Sequence, residues 1–137
     1  MQDTKLIFYI FVHVISPEAL KIRTDSTYEI KKRFSFTEST DLEEYIDDLD
    51  VVYVTRIQKE RFPDEEEYLK VKGSYVIGLD ITKKMKDDAI ILHPLPRLDE
   101  ISAEVDNTKH AKYFKQAEYG MYTRAALLGL ILNEKGF

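Results

Sequence analysis

The sequence predicts an α/β domain of three layers, a doubly wound and mainly parallel sheet followed by a long C-terminal helix. Three observations carry this prediction. Near-continuous apolar runs suited to covered strands recur along the chain, stretches with helix-start signals separate them, and the C-terminal segment repeats apolar residues at helical spacing. Strands alternating with helices imply parallel pairing through right-handed crossovers.

The elements follow in order. Leu6 to Ile15 (LIFYIFVHVI) is too short to span a bilayer and lacks the small-residue cleavage pattern of a signal peptide, so it reads as a buried strand starting almost at residue 1. Ser16 and Pro17 form a helix-start pair, and TDSTYEIKKR (Thr24 to Arg33) suits a short crossover helix. Arg33 to Phe36 alternates polar and apolar residues and is expected nearer a sheet edge. STDLEEYIDDL (Ser39 to Leu49) offers a Ser or Thr cap followed by early acids, hence a helix.

VVYVT (Val51 to Thr55) and AIILH (Ala89 to His93) are strands expected to be covered on both faces, and Ser74 to Ile77 is a weaker fifth. The acid run DEEEY (Asp64 to Tyr68) reads as a solvated helix start, because acids are stabilised near a helix N-terminus. DITKKMKDD (Asp80 to Asp88) suits a turn or two of helix. In the last segment Ala111, Phe114, Ala117, Met121, Ala125, Leu128 and Leu132 recur every three or four residues, which marks a buried helix face. Its end, ALLGLIL (Ala126 to Leu132), is apolar nearly all round and should lie against something large.

A chain of 137 residues fits one domain, residues 1–137, able to bury roughly two-thirds of the surface its unfolded form exposes. With 25 acids against 20 bases the net charge is -5, which argues against a phosphate-backbone binder. The absence of cysteine excludes disulfides, thiolate metal sites and thiol nucleophiles, and an intracellular, cytoplasmic home is the default. No GxSxG elbow, phosphate loop ending in GK[ST] or GxGxxG occurs. His13, His93 and His110 lack ligand spacing, so neither a metal nor a cofactor is expected.

In an open parallel sheet ligands bind beyond the carboxyl ends of the strands, so the residues after each apolar run matter most. After VVYVT come Arg56 and Gln58; on an extended chain both point the same way, and together they offer a planar fork and an amide to a carboxylate. Alternatively, Arg56 pairs with Glu60 at the surface.

After AIIL comes HPLPR. Pro94 and Pro96 lack amide hydrogens and bias His93 and Leu95 towards extended backbone, leaving carbonyls able to meet an ammonium group. The alternatives are a proline-stiffened exit loop and a structural His93. Taken together, the two stretches describe a site for an amino acid.

VYVTRIQKERFPDEEEYLKVKGSY, ILHPLPRLDEI and DNTKHAKYFKQAEYGMYTRAALL, in this order and separation, closely resemble the C-terminal half of the aspartate carbamoyltransferase family. SPEAL (Ser16 to Leu20) extends the likeness over most of the chain. The resemblance implies a Rossmann-like L-aspartate-binding domain, with Arg56 and Gln58 on the substrate's side-chain carboxylate and the Pro94 and Leu95 carbonyls on its amine and on the carbamoyl group. Glu60 is implied to steady Arg56, and His93, Pro96 and Arg97 to support the site. Glu67 and Tyr68 are implied to lie on a mobile loop. The ornithine-using relatives carry a cysteine where this chain has Pro94.

The family's Ser-Thr-Arg-Thr and His-Pro-Thr-Gln motifs, which bind carbamoyl phosphate, do not occur in these residues, nor does its Gly-Arg-Thr element. By resemblance, the first strand here corresponds to the family's second, so the sheet is expected to be incomplete and the domain truncated. The expected activity is carbamoyl transfer to L-aspartate in pyrimidine biosynthesis, with the chain inactive alone and carbamoyl phosphate bound only alongside the missing domain. Self-association or a partner chain is expected through the exposed sheet edge and C-terminal helix, with no nucleic acid or membrane. The competing reading is a non-catalytic interaction or amino-acid-binding module docking a separate partner.

Overall fold

The structure, a computed structural model, describes residues 10–22 and 24–132. The chain divides into two compact units, Met1–Tyr45 and Ile46–Phe137. Among the described residues each contains one two-stranded parallel sheet.

In the first unit, strand β1 (Phe11–Ile15) runs parallel to β2 (Ser35–Ser39) in the register Phe11↔Ser35 to Ile15↔Ser39. Residues 6–9 of the expected first strand lie outside the described residues. Helix α1 (Thr24–Lys31) connects the two strands as the alternating pattern requires. The helix-start pair at Ser16 and Pro17 yields a single 3-10 turn, Glu18–Leu20. Strand β2 is largely exposed, and it takes in only Ser35 and Phe36 of the expected Arg33 to Phe36 strand before running on to Ser39.

The helix expected over Ser39 to Leu49 does not form; the segment is a series of turns. Its small polar side chains explain why. Ser39 Oγ accepts the Asp41 N–H at 3.0 Å, and Asp41 Oδ1 accepts the Glu43 N–H at 2.8 Å. Such local bonds offer the backbone an alternative to the helical ladder.

In the second unit, β3 (Val51–Tyr53) pairs in parallel with β4 (Ile90–Leu92), Val51 opposite Ile90 and Tyr53 opposite Leu92. On its other side Ile91 donates to the His110 carbonyl at 2.8 Å and accepts from the Lys112 N–H at 3.0 Å. Both edges of β4 are thereby satisfied. The core gathers around Ile91, with Ile46, Val52, Ile77, Ile101, Val105 and Tyr113 all buried. The expectation that β3 is covered on both faces is not met: Val52 is buried, whereas Val51 and Tyr53 are 49% and 57% exposed. Its apolar run records what each face can accept, and only the Val52 face meets a core here.

Helix α2 (Glu65–Val71) starts at Asp64, whose side chain accepts the Glu67 N–H at 2.9 Å, and Gly73, with φ +71°, follows its end. Helix α3 (Leu79–Thr82) is the short turn expected of DITKKMKDD. The weak fifth strand reduces to a bridge between Ile77 and Ile101. Helix α4 (Tyr113–Leu132) is long, as its periodicity predicts, but the face expected to be buried is not. Phe114, Met121, Leu128 and Leu132 are all more than half exposed. Helical spacing specifies a contact face, and no described residue covers it. No described helix is long and apolar enough to cross a membrane.

Candidate functional site

Parallel pairing brings the ends of β3 and β4 to one lip. The ladder runs one residue past β3, where the Val54 N–H donates to the Leu92 carbonyl at 2.9 Å. Tyr53 and Leu92 are aligned, so Arg56 and Leu95, each three residues further on, leave the sheet at the same carboxyl edge. The sequence reading places its two recognition stretches at such an edge.

Arg56 is half-buried, and its Nη2 donates to Glu60 Oε1 at 2.8 Å. Gln58, also half-buried, keeps an extended backbone (φ -85°, ψ 101°) before the 3-10 turn Lys59–Arg61. Beyond it, Phe62 and Tyr68 meet edge to face with centroids 5.7 Å apart. Glu67 and Tyr68 lie on α2, as the acid run predicts, and not on a loop. Glu67 Oε1 accepts from Lys70 Nζ at 2.6 Å.

The HPLPR segment is organised by His93. Its ring is buried, its Nδ1 accepts the Leu95 N–H at 2.8 Å, and its Nε2 lies 2.8 Å from Glu100 Oε1. Because an amide N–H can only donate, Nδ1 carries a lone pair and the ring proton sits on Nε2, aimed at Glu100. The His93 backbone N–H donates to Gln116 Oε1 of α4 at 2.9 Å, and Glu100 also accepts the Leu98 N–H.

Leu95 holds φ at 51°, a left-handed conformation costing a non-glycine residue about 1–2 kcal/mol, and the Leu95–Pro96 peptide is cis. Pro94 and Pro96 are exposed and Leu95 is half-buried. Among the described residues, neither the Pro94 nor the Leu95 carbonyl accepts a hydrogen bond. These are the oxygens the proline argument leaves available.

Arg97 is spoken for. Its fork grips Asp106 with both terminal nitrogens and donates from Nη1 to the Tyr113 hydroxyl at 2.8 Å, while that hydroxyl donates to Asp106. Its guanidinium carbon stands 5.3 Å from the Tyr113 ring centroid. The Arg97 hydrogen bond holds the Asp106 carboxyl below its ordinary range, and burial pushes the Tyr113 phenol up to about 12. Arg97 therefore fastens the segment to the start of α4.

The residues missed by sequence reasoning are Glu100, Gln116, Asp106 and Tyr113. Glu100 lies in the stretch ILHPLPRLDEI quoted for the family resemblance. Gln116 and Tyr113 carry no sequence signal beyond their place on α4. Among the described residues no three His, Asp or Glu side chains cluster to hold a metal ion.

Residues 3–131 match the family described as aspartate/ornithine carbamoyltransferase, Asp/Orn binding domain. The chain is 76% identical over 126 residues to the aspartate carbamoyltransferase catalytic subunit of Nitrosopumilus maritimus, covering 92% of this chain and 41% of that protein. Against the corresponding subunit of Thermococcus kodakarensis it is 53% identical over 133 residues, covering 96% and 43%.

Among solved structures, the catalytic subunit of M. jannaschii aspartate transcarbamoylase superposes with a TM-score of 0.79 at 46% identity, over 94% of this chain and 42% of that one. The Trypanosoma cruzi aspartate transcarbamoylase in complex with N-(phosphonacetyl)-L-aspartic acid superposes with a TM-score of 0.74 at 33% identity, over 85% and 38%. The fold is thus the Rossmann-like α/β fold, and the chain spans about two-fifths of the length of these relatives. With nearly its whole length matched to one domain description, the chain belongs to the aspartate/ornithine carbamoyltransferase family.

Proposed function

We propose that this chain is the L-aspartate-binding portion of an aspartate carbamoyltransferase. The reaction joins carbamoyl phosphate and L-aspartate into N-carbamoyl-L-aspartate and phosphate, within cytoplasmic pyrimidine biosynthesis. The aspartate amine attacks the carbamoyl carbon, a C–N bond forms, the C–O bond to phosphate breaks, and the amine loses a proton. Catalysis of this kind is mostly positioning and charge stabilisation.

One observation carries the reading: the Arg56–Gln58 and Pro94–Leu95 segments leave the same edge of adjacent parallel strands. Arg56 and Gln58 bind the side-chain carboxylate, Glu60 fixes the aim of the guanidinium, and the Pro94 and Leu95 carbonyls receive the amine. Glu67 and Tyr68 move when the site closes. A cationic ornithine side chain is repelled by an arginine, which favours aspartate within this family.

Carbamoyl phosphate requires the portion that binds it, and the chain by itself turns over no substrate. Titration of L-aspartate against the chain tests the reading, with Arg56→Ala expected to weaken binding at least about tenfold. Equal binding by the variant, or L-ornithine preferred to L-aspartate, would overturn it.

The exposed apolar side of α4 supports a second reading, in which the chain docks a partner carrying the carbamoyl phosphate site or associates with itself. Co-purification of a stoichiometric companion supports docking, and a lone, fully active chain defeats both readings.

A further inference from the structure

The carbonyl assigned to the substrate amine belongs to a peptide whose other end is held. The planar peptide between Pro94 and Leu95 carries the Pro94 C=O and the Leu95 N–H, and in a trans peptide the two point in opposite directions. The cis bond here is the next one, Leu95–Pro96. The Leu95 N–H ends on His93 Nδ1 at 2.8 Å, in a ring that is 1% exposed. With the N–H turned inward onto this ring, the Pro94 oxygen is turned away from it.

Two further contacts hold this residue, one at the ring and one at the backbone. Glu100 Oε1 accepts the hydrogen bond from Nε2–H, and Gln116 Oε1 accepts one from the His93 backbone N–H. A carboxylate at Nε2 fixes the tautomer in which Nδ1 is an acceptor.

We propose that His93 is a positioning residue for L-aspartate: through Nδ1 it holds the Leu95 amide and so aims the Pro94 carbonyl at the substrate amine, with Glu100 holding the ring and Gln116 the His93 backbone. This rests on the aspartate reading above and adds a device to it. His93 touches no substrate; it acts through one peptide plane.

Two replacements separate the nitrogens. His93→Asn places an amide oxygen near the position of Nδ1 and gives up Nε2, whereas His93→Gln reaches Glu100 and gives up the acceptor for Leu95. Both lower the thermal midpoint. Titrated with L-aspartate at a temperature where circular dichroism shows each protein folded, His93→Gln binds about tenfold more weakly than the unaltered chain, and His93→Asn within about twofold of it.

A purely structural histidine gives another pattern, in which His93→Asn, leaving Glu100 buried without its donor, binds no better than His93→Gln. That result overturns the proposal. If neither variant folds, nitrogen-15 spectra of the unaltered chain decide: a proton on Nε2 and a slowly exchanging Leu95 amide support it, and a proton on Nδ1 overturns it. Arg56→Ala is the control. Loss of binding there with both His93 variants unaffected defeats this inference alone, while no aspartate binding by the unaltered chain defeats the underlying reading and this with it.

Discussion

The Tyr113 phenol is fully buried between Arg97 and Asp106 and ionises only with difficulty. Its pKa is raised from 10.0 to about 12, chiefly by burial, so the folded state binds this proton more tightly than the unfolded chain does. The associated stability is fully present below pH 10.0 and is lost as pH rises towards about 12. Thermal midpoints measured across that interval should fall more steeply for the unaltered chain than for Tyr113→Phe, and parallel curves would refute the assignment. At this scale the sequence was partly legible. Arg56, Gln58 and the HPLP carbonyls stand out because their chemistry is written in their residue types, but the Arg97–Asp106–Tyr113 cluster is assembled by folding from scattered positions.

Among the elements, β3, β4 and α4 were readable because apolar runs and helical spacing respond to burial and contact. Ser39 to Leu49 was misread for a local reason. The Ser39 side chain that resembles a helix cap, and the Asp41 side chain among the early acids after it, instead close successive turns. At α2 the same chemistry does act as a cap, through Asp64 and the Glu67 N–H. Replacing Asp64 with alanine should destabilise this helix by about 1 kcal/mol. Faster amide exchange confined to 65–71 is the expected result, and unchanged exchange there would show that the lysine pairs of Glu65 and Glu67 hold the helix without its cap.

For the whole molecule, α4 presents the largest discrepancy between pattern and packing. Its spacing specifies a contact face, yet Met121, Leu127, Leu128, Leu130, Ile131 and Leu132 remain exposed. Surfaces of this kind cause association in water. Sedimentation should show concentration-dependent mass for the unaltered chain, and the double change Leu128→Lys and Ile131→Lys should abolish it without loss of helix signal. A monomer at every concentration would mean that the stripe is tolerated in solution. Sequence periodicity reports that a face exists; whether anything covers it depends on neighbours that the pattern does not contain.

The parallel β3–β4 pair also acts as a ruler. Neighbouring strands in any sheet sit about 4.8 Å apart whatever side chains they carry, so the two proposed recognition segments start from a spacing set by peptide groups and not by their own sequences. On the proposed reading, selectivity at this edge is therefore modular. If the proposed site is correct, rewriting the few residues beyond each strand should change which amino acid is read, while the gauge between the two segments stays constant.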